Sequence, residues 1–415
     1  MTQPPPIDGH TPGTGGAEPQ GGPTPNPAPV HPDVPVQHPQ YAPYPEQTAH
    51  PAPVPPQGQT PYPQQQGAPA VAPQWAWAQQ QPQFVEVETE PLEYHRLYRG
   101  APRYAWWKPL VVLVLAASIY FAMNIAYSLA LMPVLLAFDP DYVNDALFMQ
   151  IAPILDTQHP LSILLNLGTV ALMIPAVLLA MLALGIRPVG RVWSVAGRIR
   201  WGLLWRTTAA AVLAVIVMNG VGILFGMAME SVAASPATEP LAAEAPEFNG
   251  TAALISFILV LLLVPFQAAA EEVVFRGLFL QVLGSWMRSP WLAIGLSTFA
   301  FAAMHIYDIW GLVAVGLMGL TAAWLTWKTG GLEAAIAIHV INNIAAFGFM
   351  AAGLSGSTGQ VESSGGIESV VGEIAGLALF AWLVVRIFTK HGYGRERIDR
   401  VWRAAPLASG GAGAA

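Results

Sequence analysis

Long apolar runs dominate the chain from residue 109 onward, interrupted by shorter polar stretches. They cover 109–138, 160–185, 207–229, 251–284, 290–306, 309–327, 332–350 and 367–387. A helix needs ~20 apolar residues to cross the hydrocarbon core of a bilayer, and several runs reach that length. The pattern predicts an all-α fold, a polytopic membrane bundle of about eight transmembrane helices. Almost no polar sequence separates 290–306 from 309–327, so this pair reads as a tight helical hairpin or a re-entrant unit.

The polar stretches sort by charge. Arg96, Arg99, Arg103 and Lys108 precede the first run, and Arg187, Arg191, Arg198, Arg200 and Arg206 separate the second from the third. Arg288 and Lys328 mark two later junctions, and Lys390, Arg395, Arg397, Arg400 and Arg403 follow the last run. The alternate stretches, 139–159, 230–250, 307–308 and 351–366, hold neither Lys nor Arg, and carry acids such as Asp139, Asp141, Glu239 and Glu244. Basic loops stay on the cytoplasmic side of a membrane. The expectation is therefore a multi-pass protein of the cell membrane with both termini cytoplasmic and an even number of spans.

Composition sharpens this picture. Of 415 residues, 54% are hydrophobic and only 10% charged, against about 25% charged in soluble domains. Cysteine is absent, which excludes disulfides, thiolate catalysis and cysteine–metal sites. Residues 1–85 are rich in Pro, Gln and Gly and poor in aliphatic residues, as expected of a disordered cytoplasmic tail rather than a signal peptide. A juxtamembrane segment (86–108) and accessory helices (109–250) would follow. A core (251–350), a last helix with its loop (351–389) and a basic tail (390–415) complete the layout.

The informative residues are polar ones inside apolar runs. The stretch "AAAEEVVFRG" (268–277) places Glu271, Glu272 and Arg276 within a membrane span. A buried carboxylate there costs at least ~2.5 kcal/mol. Only two of the nine histidines, His305 and His339, fall inside runs, and Asn343 follows His339 at i+4. Glu333 lies at the edge of its run, within reach of the interface. With a cytoplasmic boundary at 286–290, Glu271 lies about 22 Å deep and His339, counted from Leu332, about 10 Å deep.

Glu272 and Arg276, spaced i, i+4, share a helix face and can form an ion pair. Glu271 points about 100° away and has no sequence-local cation. Phe301 and His305 share a face, as do His339 and Asn343. A carboxylate in a low-dielectric pocket suits a general base acting on water. His305 would hold the same water or co-ligate a metal; carboxylate and imidazole, here Glu271, His305 and His339, are acceptable Zn²⁺ ligands, although no H-E-x-x-H helix is present. His339 and Asn343 are donors suited to an oxyanion.

The motifs "EEVVFR" (271–276), "FAAMH" (301–305) and "HVINN" (339–343), in this order on separate spans, resemble the CPBP family of CAAX prenyl endopeptidases and bacterial Abi proteins. The resemblance covers about 250–350. It implies an intramembrane endopeptidase of glutamate or metallo type. Glu271 would be the base and His305 its companion. His339 and Asn343 would form the oxyanion site, with Glu272, Arg276 and Phe301 in support. The implied partners are the bilayer and a membrane-protein or peptide substrate, lipidated or not; no nucleic-acid partner is expected. No cofactor is certain, with Zn²⁺ the open alternative. A catalytically silent scaffold or bacteriocin-immunity partner would carry the same motifs. A rhomboid-type serine protease fits poorly, since "GLSG" (353–356) sits in a polar loop and no His follows it on a later span. A transporter would show internal repeats, and none is evident.

Overall fold

The computed structural model describes residues 84–233, 248–362 and 365–404. The chain divides into two units, 1–73 and 74–415, and the described residues all belong to the second. The expected disordered tail therefore lies, up to residue 83, outside the described residues, as do parts of the 230–250 and 351–366 loops and the end of the C-terminal tail.

Among the described residues, seven helices are long and apolar enough to cross a membrane. They are α1 (Lys108–Phe138), α2 (Pro160–Ala183), α3 (Trp201–Val232), α4 (Gly250–Trp286), α6 (Ile309–Thr329), α7 (Glu333–Ala351) and α8 (Ile367–His391). Between α4 and α6 lies a shorter apolar helix, α5 (Trp291–Ala303). The expected span 290–306 is thus a helix of 13 residues, about 20 Å long. The chain leaves helical geometry at Met304 and runs irregularly to Asp308, where α6 begins with the Asp308 carboxylate capping the Gly311 N–H at 3.0 Å.

Both flanks of the bundle meet on one face. Strand β1 (Phe84–Glu88) pairs antiparallel with β4 (Arg400–Ala404), and β2 (Leu92–Glu93) with β3 (Glu396–Arg397). Sequence reading divided these stretches into a juxtamembrane segment and a tail; the fold joins them. The other basic loops dock on the same layer. Leu332 N–H donates to Trp193 O at 2.9 Å, Val195 N–H to Gly330 O at 2.8 Å, and His95 Nε2–H to Arg288 O at 3.0 Å. The acidic loops gather on the opposite face, where Thr157 N–H donates to Thr358 O at 2.8 Å and Asp308 N–H to Glu362 O at 2.9 Å. The first and last described strands pair on one face, which fits an even number of passages with α5 and its irregular continuation counted among them.

Several arginines of the basic layer are structural. Arg191 is fully buried and donates to the carbonyls of Leu97, Gly100 and Pro188 and to Asp399. Arg200 grips Glu333 with Nε (2.9 Å) and a terminal nitrogen (2.7 Å), so Glu333 is buried at the start of α7 instead of reaching toward the interface. Its charge there is matched by a guanidinium and by the positive end of the helix. Gly284 faces the backbone of His95 so closely that a Cβ would stand 2.1 Å from the carbonyl oxygen.

This layer corrects the depth estimate. Gly277, not the 286–290 stretch, is level with the α6–α7 turn: a Cβ on it would meet Val192 at 2.7 Å and Leu332 at 3.6 Å. The last turns of α4 project into the basic layer and pack on residues 94–100. Counted from Gly277, Glu272 is about 7 Å in, and counted from Leu332, His339 is about 10 Å in. The two groups therefore share a level.

Candidate active site

The site is built on α4. A run of small residues, Ala268–Ala270, brings the helix close to its neighbours and leads directly into the two acids. Immediately after Glu272 the helix widens into a π-turn over Val273–Phe279. Such wide turns leave a backbone step that recurs at functional sites. Glu271 and Glu272 point to different surroundings, as their 100° offset requires.

Glu272 is sealed in. It is 1% exposed and accepts from Arg276 at 2.9 Å and from His339 Nδ1 at 2.8 Å, both on Oε1. The fully buried Arg276 also donates to Gly319 O at 3.1 Å and lies 4.1 Å above the Phe301 ring. Gly319 makes this possible, because a Cβ there would come within 3.0 Å of both Arg276 and Phe301. The expected i, i+4 ion pair is present, and it doubles as the anchor for a histidine from α7. Phe301 is the shared floor: its ring packs edge-on against His305 (4.8 Å) and His339 (5.7 Å).

Glu271 is half-buried and belongs to a second network. Gln267, one turn earlier on α4, donates from Nε2 to Glu271 Oε1 at 2.6 Å and accepts from Asn343 Nδ2 at 3.1 Å. The other carboxylate oxygen faces His339 Nε2 across 3.7 Å. That separation is too long for a direct hydrogen bond, and a water bonded to both atoms would sit to one side of the line joining them. His305 Nδ1–H donates to Phe301 O at 2.8 Å, which fixes the ring and leaves Nε2 as an acceptor. His305 is close enough to Glu271 and His339 to interact electrostatically with both. Tyr307 and Tyr120 also lie within reach of the Glu271 charge.

The structure thus brings together Glu271, Glu272 and Arg276 of α4, Phe301 of α5, His305 just past it, and His339 and Asn343 of α7. Sequence reading missed Gln267 and Gly319. Gln267 had a signal, its i, i+4 spacing to Glu271; Gly319 had none, since its role depends on α6 crossing α4. The sequence leaves a metal ion open at Glu271, His305 and His339. Among the described residues no three His, Asp or Glu side chains are grouped to hold one. Each histidine engages Nδ1, with Glu272 and with the Phe301 carbonyl, and keeps Nε2 without a hydrogen bond, a pattern that metal-ligating histidines share.

Residues 252–345 match the family described as "Type II CAAX prenyl endopeptidase Rce1-like". A curated relative, "Uncharacterized protein YyaK" of Bacillus subtilis (strain 168), is 30% identical over 105 residues. The match covers 24% of this chain and 35% of the relative, so the chain spans about a third of that protein. No solved structure matches.

Proposed function

We propose, starting from a 252–345 core of the CPBP, CAAX-endopeptidase-like type, that this multi-pass membrane protein hydrolyses peptide bonds with Glu271 as its general base. The observation that carries the reading is the division of labour between adjacent acids. Glu272 is sealed by Arg276 and His339, whereas Glu271 Oε2 makes no direct hydrogen bond and faces His339 Nε2 at 3.7 Å.

In this scheme water donates to Glu271 Oε2 and to the acceptor nitrogen of His305, beside His339 Nε2. Glu271 takes its proton as the oxygen attacks the substrate carbonyl, and returns that proton to the leaving amine. Gln267 holds the base in one orientation, which keeps its open oxygen on the water. An amide group has two N–H donors. Asn343 uses one on Gln267, and the other is available to the developing oxyanion. Glu272, Arg276 and Phe301 set the tilt of the His339 and His305 rings. The reaction is of the glutamate type, carried by the chain's own side chains.

The basic layer is assigned to the cytoplasmic side of the cell membrane by its Lys and Arg content, with both termini on that side. The substrate is a membrane protein or membrane-bound peptide, with or without a lipid. The rival reading, a silent scaffold or immunity partner of the same fold, needs no water-facing acid. Comparing new peptide termini in membranes of cells expressing wild type or Glu271→Gln tests between them. Termini formed only with wild type support the protease. Identical termini at equal protein abundance favour the scaffold.

A further inference from the structure

A partly open cavity with a mostly apolar lining lies between α3, α6, α7 and α8, separate from the Glu271 site. Its volume is about 440 Å³, and its lining includes Glu373 and Glu368 of α8, Asn219 of α3, Asn342 of α7, and Tyr307 and Val315. Glu373 is 8% exposed and lines this space. Among the described residues it has neither a hydrogen-bond partner nor a cation. This is unlike Glu272 and Glu333, the other buried acids of the bundle, each of which holds an arginine.

Packing keeps Glu373 where it is. Gly372 and Gly376, spaced as in close-packed membrane helices, press α8 onto α3. A Cβ on Gly372 would stand 2.4 Å from Met218 O, and one on Gly376 would stand 2.6 Å from the Met218 side chain. Glu373, next along from Gly372, therefore cannot swing out past α3. An ionised acid at this depth needs a positive partner. The space is too roomy for a bare ion held by two carboxylates, and no three acids or histidines are gathered there. It does suit an aliphatic stem beside Val315 with a charged head at Glu373, the way Lys and Arg side chains bury their stems. Asn219 and Asn342 add acceptors for the remaining N–H groups.

The cavity adjoins the proposed catalytic centre through Tyr307, whose ring lies 5.7 Å from that of His305. Gln360 donates to the Tyr307 hydroxyl at 3.0 Å and fixes it there. On α7, Asn342 lines the cavity while its neighbour Asn343 bonds to Gln267. We propose that this cavity is a subsite for a cationic side chain, Lys or Arg, of the polypeptide segment processed at Glu271. The identity of that segment as substrate rests on the protease reading; the recognition of the cation does not.

The test measures binding without cleavage. The full chain in nanodiscs is titrated with Nα-acetyl-lysine amide, with Nα-acetyl-norleucine amide and with CaCl2 alone, following heat release and thermal shift. The expected result is saturable binding of the lysine amide, weakened about tenfold or more for the norleucine amide and in Glu373→Gln, and retained in Glu271→Gln. Equal binding of the two amides, no saturable binding, or undiminished binding by Glu373→Gln would overturn the subsite. So would a calcium response exceeding that of the lysine amide. If Glu373→Gln does not fold, Asn342→Leu, which fills the cavity from α7, replaces it with the same expected loss. A chain that binds the lysine amide but cuts nothing would keep the subsite and end the protease reading.

Discussion

His339 Nδ1 stands 2.8 Å from Glu272 Oε1, across 67 positions of sequence. This bond explains why two acids stand side by side in a membrane helix. One is consumed in clamping α7 to α4 and in compensating Arg276. The other, Glu271, is the proposed base. The two roles could not be exchanged, because only Glu271 has an oxygen facing the gap toward His339 Nε2.

Replacing Glu271 with Gln removes the base and preserves a side chain of the same shape. Cleavage should fall by about 10²–10⁴-fold, the usual contribution of a general base. The melting temperature should stay within a degree or two of wild type, on the order expected for a change without a lost packing contact. A cleavage assay on purified protein, paired with a melting curve, checks both.

Gln267→Leu tests the support for that base. The substitution leaves the Glu271 carboxylate free to rotate and the Asn343 amide without its acceptor. Turnover should drop by about 10–100-fold, as when an outer hydrogen-bond partner of a site is lost. Because a misplaced base mainly harms the chemical step, kcat should change more than KM. An unchanged kcat would remove Gln267 from the site.

Arg276→Ala leaves Glu272, itself 1% exposed, as a buried acid without its cation. Breaking such a pair costs about 3–5 kcal/mol. Arg276→Lys should rescue only part of this, since a single ammonium cannot pair with Glu272, reach Gly319 O and cover the Phe301 ring together. Thermal unfolding in detergent ranks the three proteins, and a wild-type melting curve for the alanine variant would contradict the ion pair.

Gly284→Ala probes the joint between α4 and the basic layer. The added methyl would sit 2.1 Å from the His95 carbonyl oxygen, so residues 94–100 must shift as a backbone unit. Overpacking of this kind costs about 1–3 kcal/mol. The readout is faster proteolysis of the segment around Arg96–Arg103 in the intact protein.

His95 gives a pH dependence. Its ring is fully buried outside the membrane-spanning helices, and burial lowers its pKa from the ordinary 6.5. The unfolded chain thus binds the proton first. The contribution of neutral His95 to stability is complete above about pH 6.5 and declines as pH falls toward the lower folded value, by at most ~1.4 kcal/mol per pH unit. Melting temperatures between pH 8 and pH 5 should show this fall, and His95→Gln should flatten it.

The sequence alone determined the membrane bundle, because apolar length and the sorting of Lys and Arg are local properties that water and bilayer impose on every segment. It also determined the Glu272–Arg276 pair, whose members lie one turn apart on the same helix. The polar outliers Glu271, His305, His339 and Asn343 stood out for the same reason: charge and amide groups in hydrocarbon need a purpose.

Tertiary structure decided the rest. Which acid is sealed and which is open depends on where α7 crosses α4, and no spacing within "EEVVFR" encodes that crossing. The common depth of Glu272 and His339 was hidden, since the sequence cannot show that the last turns of α4 project into a layer of loops and strands. Gly319 carries no motif; it matters because Arg276 from another helix passes over it. Glu373 reads as an ordinary acid near a helix start until Gly372 and Gly376 are seen to pin it against α3. Periodicity and composition describe what each helix buries, whereas a site depends on which buried faces meet. That is set by packing among residues far apart in the chain.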